Sequence, residues 1–463
     1  MSHYDLAIIG SGSGNSLVTP DFDDWQIAII EESTFGGTCL NVGCIPTKMY
    51  VYPADLATHA REAAQLGVDA HVDGVRWRDI RDRIFGRIDA ISAGGRDYRA
   101  TGTPNVTLYE THAEFADEHT LTLATGETIT ADRIVIAAGS RAKIPPLVTE
   151  SGVRYYTSDN VMRIDEVPPR VTILGGGYIA SEFAHVFSAF GAQTTLILRG
   201  DRLTKHLDHD IASAFTKVAE KHWDVRLGYH LEALHMEGDT ICMTLDDGSR
   251  HETDLLLVAT GRIPNGDRLN AAAAGVELHE GGYRIKVDAQ QRTSVPHIWA
   301  LGDVSSDYQL KHVANHEERV VAHNLAHPDD LVDSDHRFVP SAVFTHPQLA
   351  AVGLTEQQAI EQGIPYVAAI QEYGSTAYGW AMDDSTSLCK LLADPTTGQL
   401  LGAHIMGEQA ATLIQPLVQA MSFGLGVRGL ARGQYWIHPA LTEVVENALL
   451  KVEEQSFPAV DTP

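Results

Sequence analysis

The sequence predicts an α/β fold: two Rossmann-like, doubly wound nucleotide-binding units followed by a C-terminal α+β unit. Three observations carry this prediction. An apolar strand runs straight into the glycine-rich turn Gly10-Ser-Gly12-Ser-Gly14, the same junction recurs at Gly175-Gly-Gly177, and the C-terminal part reads as antiparallel strands with a packing helix.

In the first unit, Tyr4–Ile9 is a short apolar strand and Ile27–Ile30 a second one ending at Glu31. Glycines let the backbone approach a pyrophosphate at a helix N-terminus, and an acid about 20 residues on reaches a ribose hydroxyl. Gly10, Gly12, Gly14 and Glu31 fit that fingerprint. Its third position, where glycine or alanine permits tight helix packing, is Asn15, and Ser16-Leu-Val-Thr-Pro20 is a poor helix former. A shortened or irregular first crossover is expected.

Next comes Gly36 to Lys48, GGTCLNVGCIPTK, which sets Cys39 and Cys44 five positions apart. On a regular helix that pair would be separated by a rise of about 7.5 Å and a turn of about 140°, beyond the roughly 4.4–6.8 Å between Cα atoms that a disulfide allows. A redox-active pair here therefore needs an irregular backbone. Gly43 relieves it, and Ile45-Pro46 pre-sets a helix starting beside Cys44, whose N-terminus favours thiolate. The spacing alone equally admits two unrelated buried cysteines. Cys242 and Cys389 read as spectators.

The second fingerprint is more regular: Val171–Leu174 leads into Gly175, Gly177, Tyr178 and Ala180, then an apolar helical run through Phe190 and the strand Thr194–Leu198. Where a NAD site would end that strand in an acid, this chain has Arg199, followed by Arg202 and Lys205. Cations there suit a 2′-phosphate, so the expected nicotinamide donor is NADPH; the plain alternative is three solvated surface charges. Further on, Lys390-Leu-Leu-Ala and Leu401–Met406 read as antiparallel strands and Leu413–Phe423 as a packing helix.

Composition bounds these readings. With 463 residues, two to four domains are expected, and 44% apolar residues support compact folding. Asp and Glu total 61 against 34 Lys and Arg, a formal net charge of -27, which argues against nucleic acid and anionic membranes as partners. The N-terminus shows no basic segment leading into a long apolar stretch, and no 18 apolar residues run together, so a soluble cytoplasmic protein is expected. Four cysteines are too few for a disulfide-stapled secreted scaffold, and no metal-ligating motif stands out.

Two dinucleotide sites and a cysteine pair suggest an electron path from nicotinamide through a flavin to a disulfide. At this point the chain resembles the flavoprotein pyridine nucleotide–disulfide reductases, the class of glutathione reductase and lipoamide dehydrogenase. Besides the motifs above, the resemblance rests on the domain-crossing runs Ile134–Gly139 and Leu257–Asn265, the second flavin motif Thr293–Asp303, and His438-Pro-Ala-Leu-Thr-Glu443. It implies FAD held by Gly10, Gly12, Gly14, Glu31, Thr38, Lys48, Gly139 and Asp303, the last on the ribityl chain. It implies NADPH held by Gly175, Gly177, Tyr178, Ala180, Arg199, Arg202, Lys205 and Gly261. Tyr178 either covers the nicotinamide pocket or simply packs.

The same resemblance implies roles. Cys44 is the flavin-facing thiolate, Cys39 the interchange thiol, Lys48 a cation at the flavin paired with Glu182, and His438–Glu443 an acid/base dyad contributed across a homodimer. It divides the chain into a split FAD-binding domain (1–148 and 263–333), an NADPH-binding domain (149–262) and an interface domain (334–463). The expected substrate is a low-molecular-weight thiol disulfide. Runs such as Lys311-His-Val-Ala-Asn-His-Glu317, Tyr378–Met382 and Gly433–Leu441 carry subfamily character rather than chemistry. A cysteine-free tail argues against the mercuric and large thioredoxin reductases, and Arg199 argues against the NAD-preferring lipoamide dehydrogenases, which remain the alternative. A flavoprotein serving as a scaffold subunit is the reading from a different class; the intact set Cys39, Cys44, His438 and Glu443 argues against it.

Overall fold

The computed structural model describes residues 1–456; the end of the expected interface domain, 457–463, lies outside the described residues. The first sheet has seven strands. Val106–Tyr109, Ile27–Ile30, Ser2–Ile9 and Thr128–Ile136 lie side by side in parallel, with Ile298–Ala300 added in parallel to Thr128–Ile136 and the hairpin strands Thr120–Leu123 and Ala113–Phe115 antiparallel at the edge. Both faces are covered, which is why the strands are continuously apolar. Ala7, Ile9, Ala28, Ile30, Ile134 and Ile136 pack on one face; Leu6, Ile8, Ile27, Ile29 and Val135 pack on the other, toward Val321 and Leu325 of the helix Lys311–Ala326.

The first crossover has no α-helix. Two 3-10 turns, Gly14–Leu17 and Pro20–Phe22, replace it, as the sequence implied. Arg99, only 8% exposed, fills the space at the third fingerprint position: its Nε donates to Asn15 Oδ1 (2.7 Å), and Nη2 donates to the carbonyls of Asn15 (3.1 Å) and Val18 (3.4 Å). The second unit is regular. Its parallel sheet runs Asp224–Leu227, Gln193–Leu198, Arg170–Leu174, Leu255–Val258, with the helix Tyr178–Ala189 between the two central strands in sequence. A three-stranded antiparallel sheet, Leu231–Glu237, Thr240–Leu245 and Arg250–Thr253, adjoins it in the chain.

The chain passes between the two units twice, and the passing segments pair with each other: Ser140–Ala142 lies antiparallel to Arg262–Pro264. The C-terminal unit is a five-stranded antiparallel sheet ordered Ser341–Val343, Gln348–Gly353, Leu400–Gly407, Leu388–Ala393, Val367–Glu372, with the helix Thr442–Ser456 against it. The single helix expected over Leu413–Phe423 is instead two, Ala410–Leu413 and Gln415–Ser422. Pro416 has no N–H to offer the Thr412 carbonyl, so a continuous helix would lose that hydrogen bond.

One polar node has a buried centre in Lys390 and Asp208, with Asp210 and Glu356 partly exposed at its rim. Lys390 Nζ lies 2.9 Å from Asp208, 2.6 Å from Asp210 and 2.6 Å from Glu356, tying a C-terminal strand to the start of the helix His209–Ala219 in the second unit. Lys390 is 1% exposed and Asp208 0%, so both charges depend on each other and on this geometry.

Candidate active site

A cavity of about 510 Å³ opens where the two nucleotide-binding units meet. Gly10, Gly12, Glu31, Thr38, Cys39, Cys44, Lys48, Gly139 and Asp303 line it from the first unit, and Tyr178, Glu182 and Arg262 from the side of the second. Gly10 has φ +107°, and a Cβ there would lie 2.3 Å from the Ala137 carbonyl oxygen. Gly12 and Gly37 face each other so closely that a Cβ on Gly37 would lie 2.7 Å from the Gly12 Cα. The cavity wall is therefore bare backbone where a pyrophosphate would be laid, and the residues fit a flavin dinucleotide.

The cysteine segment is two helices with a break between them. Cys39 sits in Gly37–Asn41, Val42 and Gly43 leave the helix, and Cys44 opens the helix Cys44–Glu62. Asn41 braces the first piece by donating to the carbonyls of Thr34, Phe35 and Gly37. The break brings the thiols together: both are free and they hydrogen-bond to each other. The Cys39 thiol donates, so Cys44 is held down to about 6, with the Lys48 ammonium adding to the effect against burial and Glu182. The same hydrogen bond, together with burial, pushes the Cys39 thiol up, and the Lys311 ammonium pulls the other way.

Lys48 stands one turn beyond Cys44. Its Nζ lies 2.6 Å from each Glu182 carboxylate oxygen and 4.7 Å from the centre of the Phe344 ring. Glu182 is 3% exposed and also accepts from the Phe344 N–H at 3.0 Å, so the pair is locked by three segments of the chain. Tyr178, one turn before Glu182 on the same helix, lies on the cavity wall, and burial pushes its hydroxyl up to about 12. Asp303 accepts from Ser140 Oγ at 2.6 Å, and Ser140 Oγ accepts from Arg262 Nε at 2.8 Å. Glu31 is placed at the cavity but is saturated within the chain: its two oxygens accept from the backbone N–H and hydroxyl of Ser11 and of Ser33, at 2.7–2.9 Å. A ribose hydroxyl must share or displace one of these bonds.

The remaining expected residues lie elsewhere. Gly175 repeats Gly10, with φ +127° and a Cβ position 2.2 Å from the Ala259 carbonyl oxygen, and Ala180 is fully buried in the first turn of the helix Tyr178–Ala189. Gly261 sits at φ +122° on the passing segment, where its carbonyl accepts from the Lys143 N–H at 2.9 Å. Arg199 is exposed and makes no ion pair among the described residues, as does Lys205, whereas Arg202 is engaged by Asp201 at 2.7 Å. The trio is thus two open cations and one paired. His438 Nδ1 is 2.6 Å from Glu443 Oε1, the pairing that the family resemblance implies, but neither residue lines the cavity of its own chain. Cys389 is inert, its thiol pushed up to about 12 by burial.

Residues 4–317 match the model of the pyridine nucleotide-disulphide oxidoreductases, and residues 339–449 match the dimerisation domain of the same group. The chain belongs to that family. Among this oxidoreductase's relatives is a protein described as mycothione reductase from Mycobacterium tuberculosis (strain ATCC 25618 / H37Rv), 54% identical, covering 97% of this chain and 99% of the relative. Dihydrolipoyl dehydrogenase of Haloferax volcanii is 33% identical over 96% of each chain, and glutathione reductase of Burkholderia cepacia 31% over 95% and 97%. Among solved structures, the HOCl-induced flavoprotein disulfide reductase RclA from Escherichia coli superposes with a TM-score of 0.86 at 28% identity, covering 97% of this chain and all of that one. The oxidoreductase is a disulfide reductase that uses FAD and NAD(P)H.

Three residues at the site carried no chemical signal in the sequence. Lys311, at the start of its helix, lines the cavity and donates to Ser13 Oγ at 2.8 Å, while Arg262 and Phe344 steer Ser140 and Lys48. Lys311 stood out only as part of a subfamily run.

Proposed function

We propose that this chain is an NADPH-dependent reductase of mycothione, the disulfide of mycothiol, working as a cytoplasmic homodimer. The observation that carries the substrate is the near-full-length likeness to the mycobacterial protein; Arg199 and Lys205, open at the end of the second fingerprint strand, support NADPH. A split FAD-binding domain (1–148 and 263–333), an NADPH-binding domain (149–262) and an interface domain (334–463) organise it. Exposed Tyr435, Ile437 and Phe423 in the last of these support a covered face between subunits.

The residues divide the work. Gly10, Gly12, Gly14 and Asp303 would hold FAD, and Gly175, Gly177, Tyr178, Ala180, Arg199 and Lys205 would hold NADPH. A flavin held there would supply two-electron chemistry between the nicotinamide and the Cys39–Cys44 couple. Lys48, fixed by Glu182, balances negative charge at the flavin and at Cys44. Cys39 gives its proton to His438 of the partner subunit as it attacks one sulfur of the substrate disulfide, a mixed disulfide forms, and the first thiol leaves with that proton returned by the imidazole. Cys44 attacks the Cys39 sulfur, the second thiol leaves, and the Cys39–Cys44 disulfide is restored. Glu443 fixes the tautomer of His438 and raises its basicity.

Two assays test this. With NADPH and the disulfides of mycothiol, glutathione and γ-glutamylcysteine, and with lipoamide, kcat/KM is expected to be highest for mycothione; equal or higher values for another disulfide overturn the substrate. His438→Ala is expected to leave flavin reduction fast while slowing disulfide turnover ~10²-fold or more, the scale of general acid catalysis. Unchanged turnover removes His438 from the mechanism.

A further inference from the structure

Away from the cavity, the described residues gather potential metal ligands in two places, each with three donor atoms within 4.8 Å of one another. One is His235, Glu237 and Cys242, on the small antiparallel sheet. Arg250 already occupies it, with Nη2 bonded to Glu237 and 3.3 Å from the Cys242 sulfur. A guanidinium seated among the ligands excludes a second cation.

The other place is His59, His346 and Glu408. No lysine or arginine bonds to any of the three among the described residues. The Glu408 carboxylate and the His59 ring have no hydrogen-bond partner there, so their donor atoms are uncommitted. His346 is oriented from behind: its Nε2 lies 2.9 Å from Glu62 Oε2, and the His185 ring, itself held by Asp55 at 2.7 Å, stacks on it with centroids 6.3 Å apart. A carboxylate on one ring nitrogen fixes the tautomer and leaves the other nitrogen, Nδ1, with its lone pair for a metal. The His59 ring stands edge-on to His346 with centroids 5.3 Å apart, and His59 is exposed, which leaves an entry path and a place for a water or exogenous ligand.

We propose that His59, His346 and Glu408 form a metal site, separate from the redox centre, for a divalent transition ion such as Zn²⁺, with Glu62 positioning His346. Two imidazoles and a carboxylate with an open fourth position match the ligand types that such borderline ions prefer. The ligands come from three parts of the fold: the last turn of the helix that begins at Cys44, the turn before the strand Gln348–Gly353, and the end of the strand Leu400–Gly407. A bound ion would pin the far end of the cysteine helix to the C-terminal sheet.

The test uses FAD-loaded Cys39→Ser/Cys44→Ser enzyme, which cannot bind metal through the redox thiols, stripped with chelator and titrated with ZnCl₂ by calorimetry. One Zn²⁺ per chain is expected, together with a rise in Tm. Adding His59→Ala or Glu408→Gln, both at uncommitted side chains, should weaken binding at least ~10-fold, and Glu62→Gln should weaken it by about the same factor. His235→Ala should change nothing. Retained FAD absorbance and Tm in the metal-free variants establish that they are folded. Absence of saturable Zn²⁺ binding, or binding that survives both His59→Ala and Glu408→Gln unchanged, overturns the site.

Discussion

In the first nucleotide-binding unit the strand Ser2–Ile9 hands over to two 3-10 turns, whereas in the second the strand Arg170–Leu174 hands over to the regular helix Tyr178–Ala189. What the two share is the first glycine. Gly10 and Gly175 both have positive φ and both pass within a Cβ's reach of a carbonyl oxygen on the neighbouring strand end, Ala137 or Ala259. That glycine is required by the protein's own backbone. The third position is required only where a helix follows: Ala180 is buried in the first turn of one, while Asn15, without one, serves as an anchor for Arg99. The strand ends differ in the same spirit, since Glu31 is satisfied by Ser11 and Ser33 whereas Arg199 is open. One strand-end residue is bonded into the scaffold, and the other has no ion pair among the described residues.

The largest effect should come from breaking what the units share. Gly10→Ala and Gly175→Ala combine a left-handed backbone with overlap on a carbonyl and should each cost about 3 kcal/mol or more, read as a loss of Tm. A cost under half that at either position would mean the strand ends shift freely. Second is the open end of the second unit. Arg199→Glu removes charge-assisted bonds to a 2′-phosphate and adds repulsion, so the NADPH over NADH ratio in kcat/KM should fall ~10²-fold. An unchanged ratio would leave Arg199 as a solvated surface charge. Third, Arg99→Met leaves Asn15 Oδ1 and two carbonyls unpaired in the interior and should destabilise by about 2 kcal/mol in denaturant unfolding. No loss there would show that water replaces the guanidinium and that the first crossover needs no anchor.

A smaller effect is expected at the thiols carried by the first unit. Cys44 lies below the ordinary thiol value, so its thiolate survives down to about 6. In the two-electron-reduced enzyme the long-wavelength thiolate–flavin absorbance should be present above that pH and fade as pH falls through it. The associated stabilisation of the reduced fold follows the same sign, present above the unfolded thiol's pKa and lost through the folded one. Lys48→Met should move the midpoint upward; a midpoint that stays put would assign the whole depression to Cys39. The smallest effect belongs to Gly177→Ala. Nothing lies within 4 Å of a Cβ there and φ is not positive, so Tm should hold while KM for NADPH rises.

Much of this was legible in the sequence because it is local. The strand–glycine junctions, the break between Cys39 and Cys44, and the poor helix after Asn15 each depend on residues within one short segment. Lys48–Glu182 and His438–Glu443 were legible through their place in the family's motifs. What escaped depends on long closure. Arg99 finds Asn15 across 84 positions, Lys311 finds Ser13 across 298, and His346 finds Glu62 across 284; no period or spacing announces such meetings. The saturation of Glu31 was hidden for another reason: Ser11 and Ser33 read as turn residues, and only the folded turn aims both at one carboxylate. Pro416 splits the helix expected over Leu413–Phe423 through a single missing N–H inside an apolar run.

The buried Lys390 node has a consequence for motion. Removing Lys390 or Asp208, the two buried members, strands the other at a cost of about 3–5 kcal/mol, so the contact stays closed under ordinary thermal fluctuation. Asp208 and Asp210 thereby fasten the second nucleotide-binding unit to the C-terminal sheet, the rigid body that the family uses to build its dimer. A swing of that unit as a whole would have to carry the sheet with it. The side chain of Tyr178, on the cavity wall, can still change rotamer on a nanosecond scale, a motion that needs no hinge.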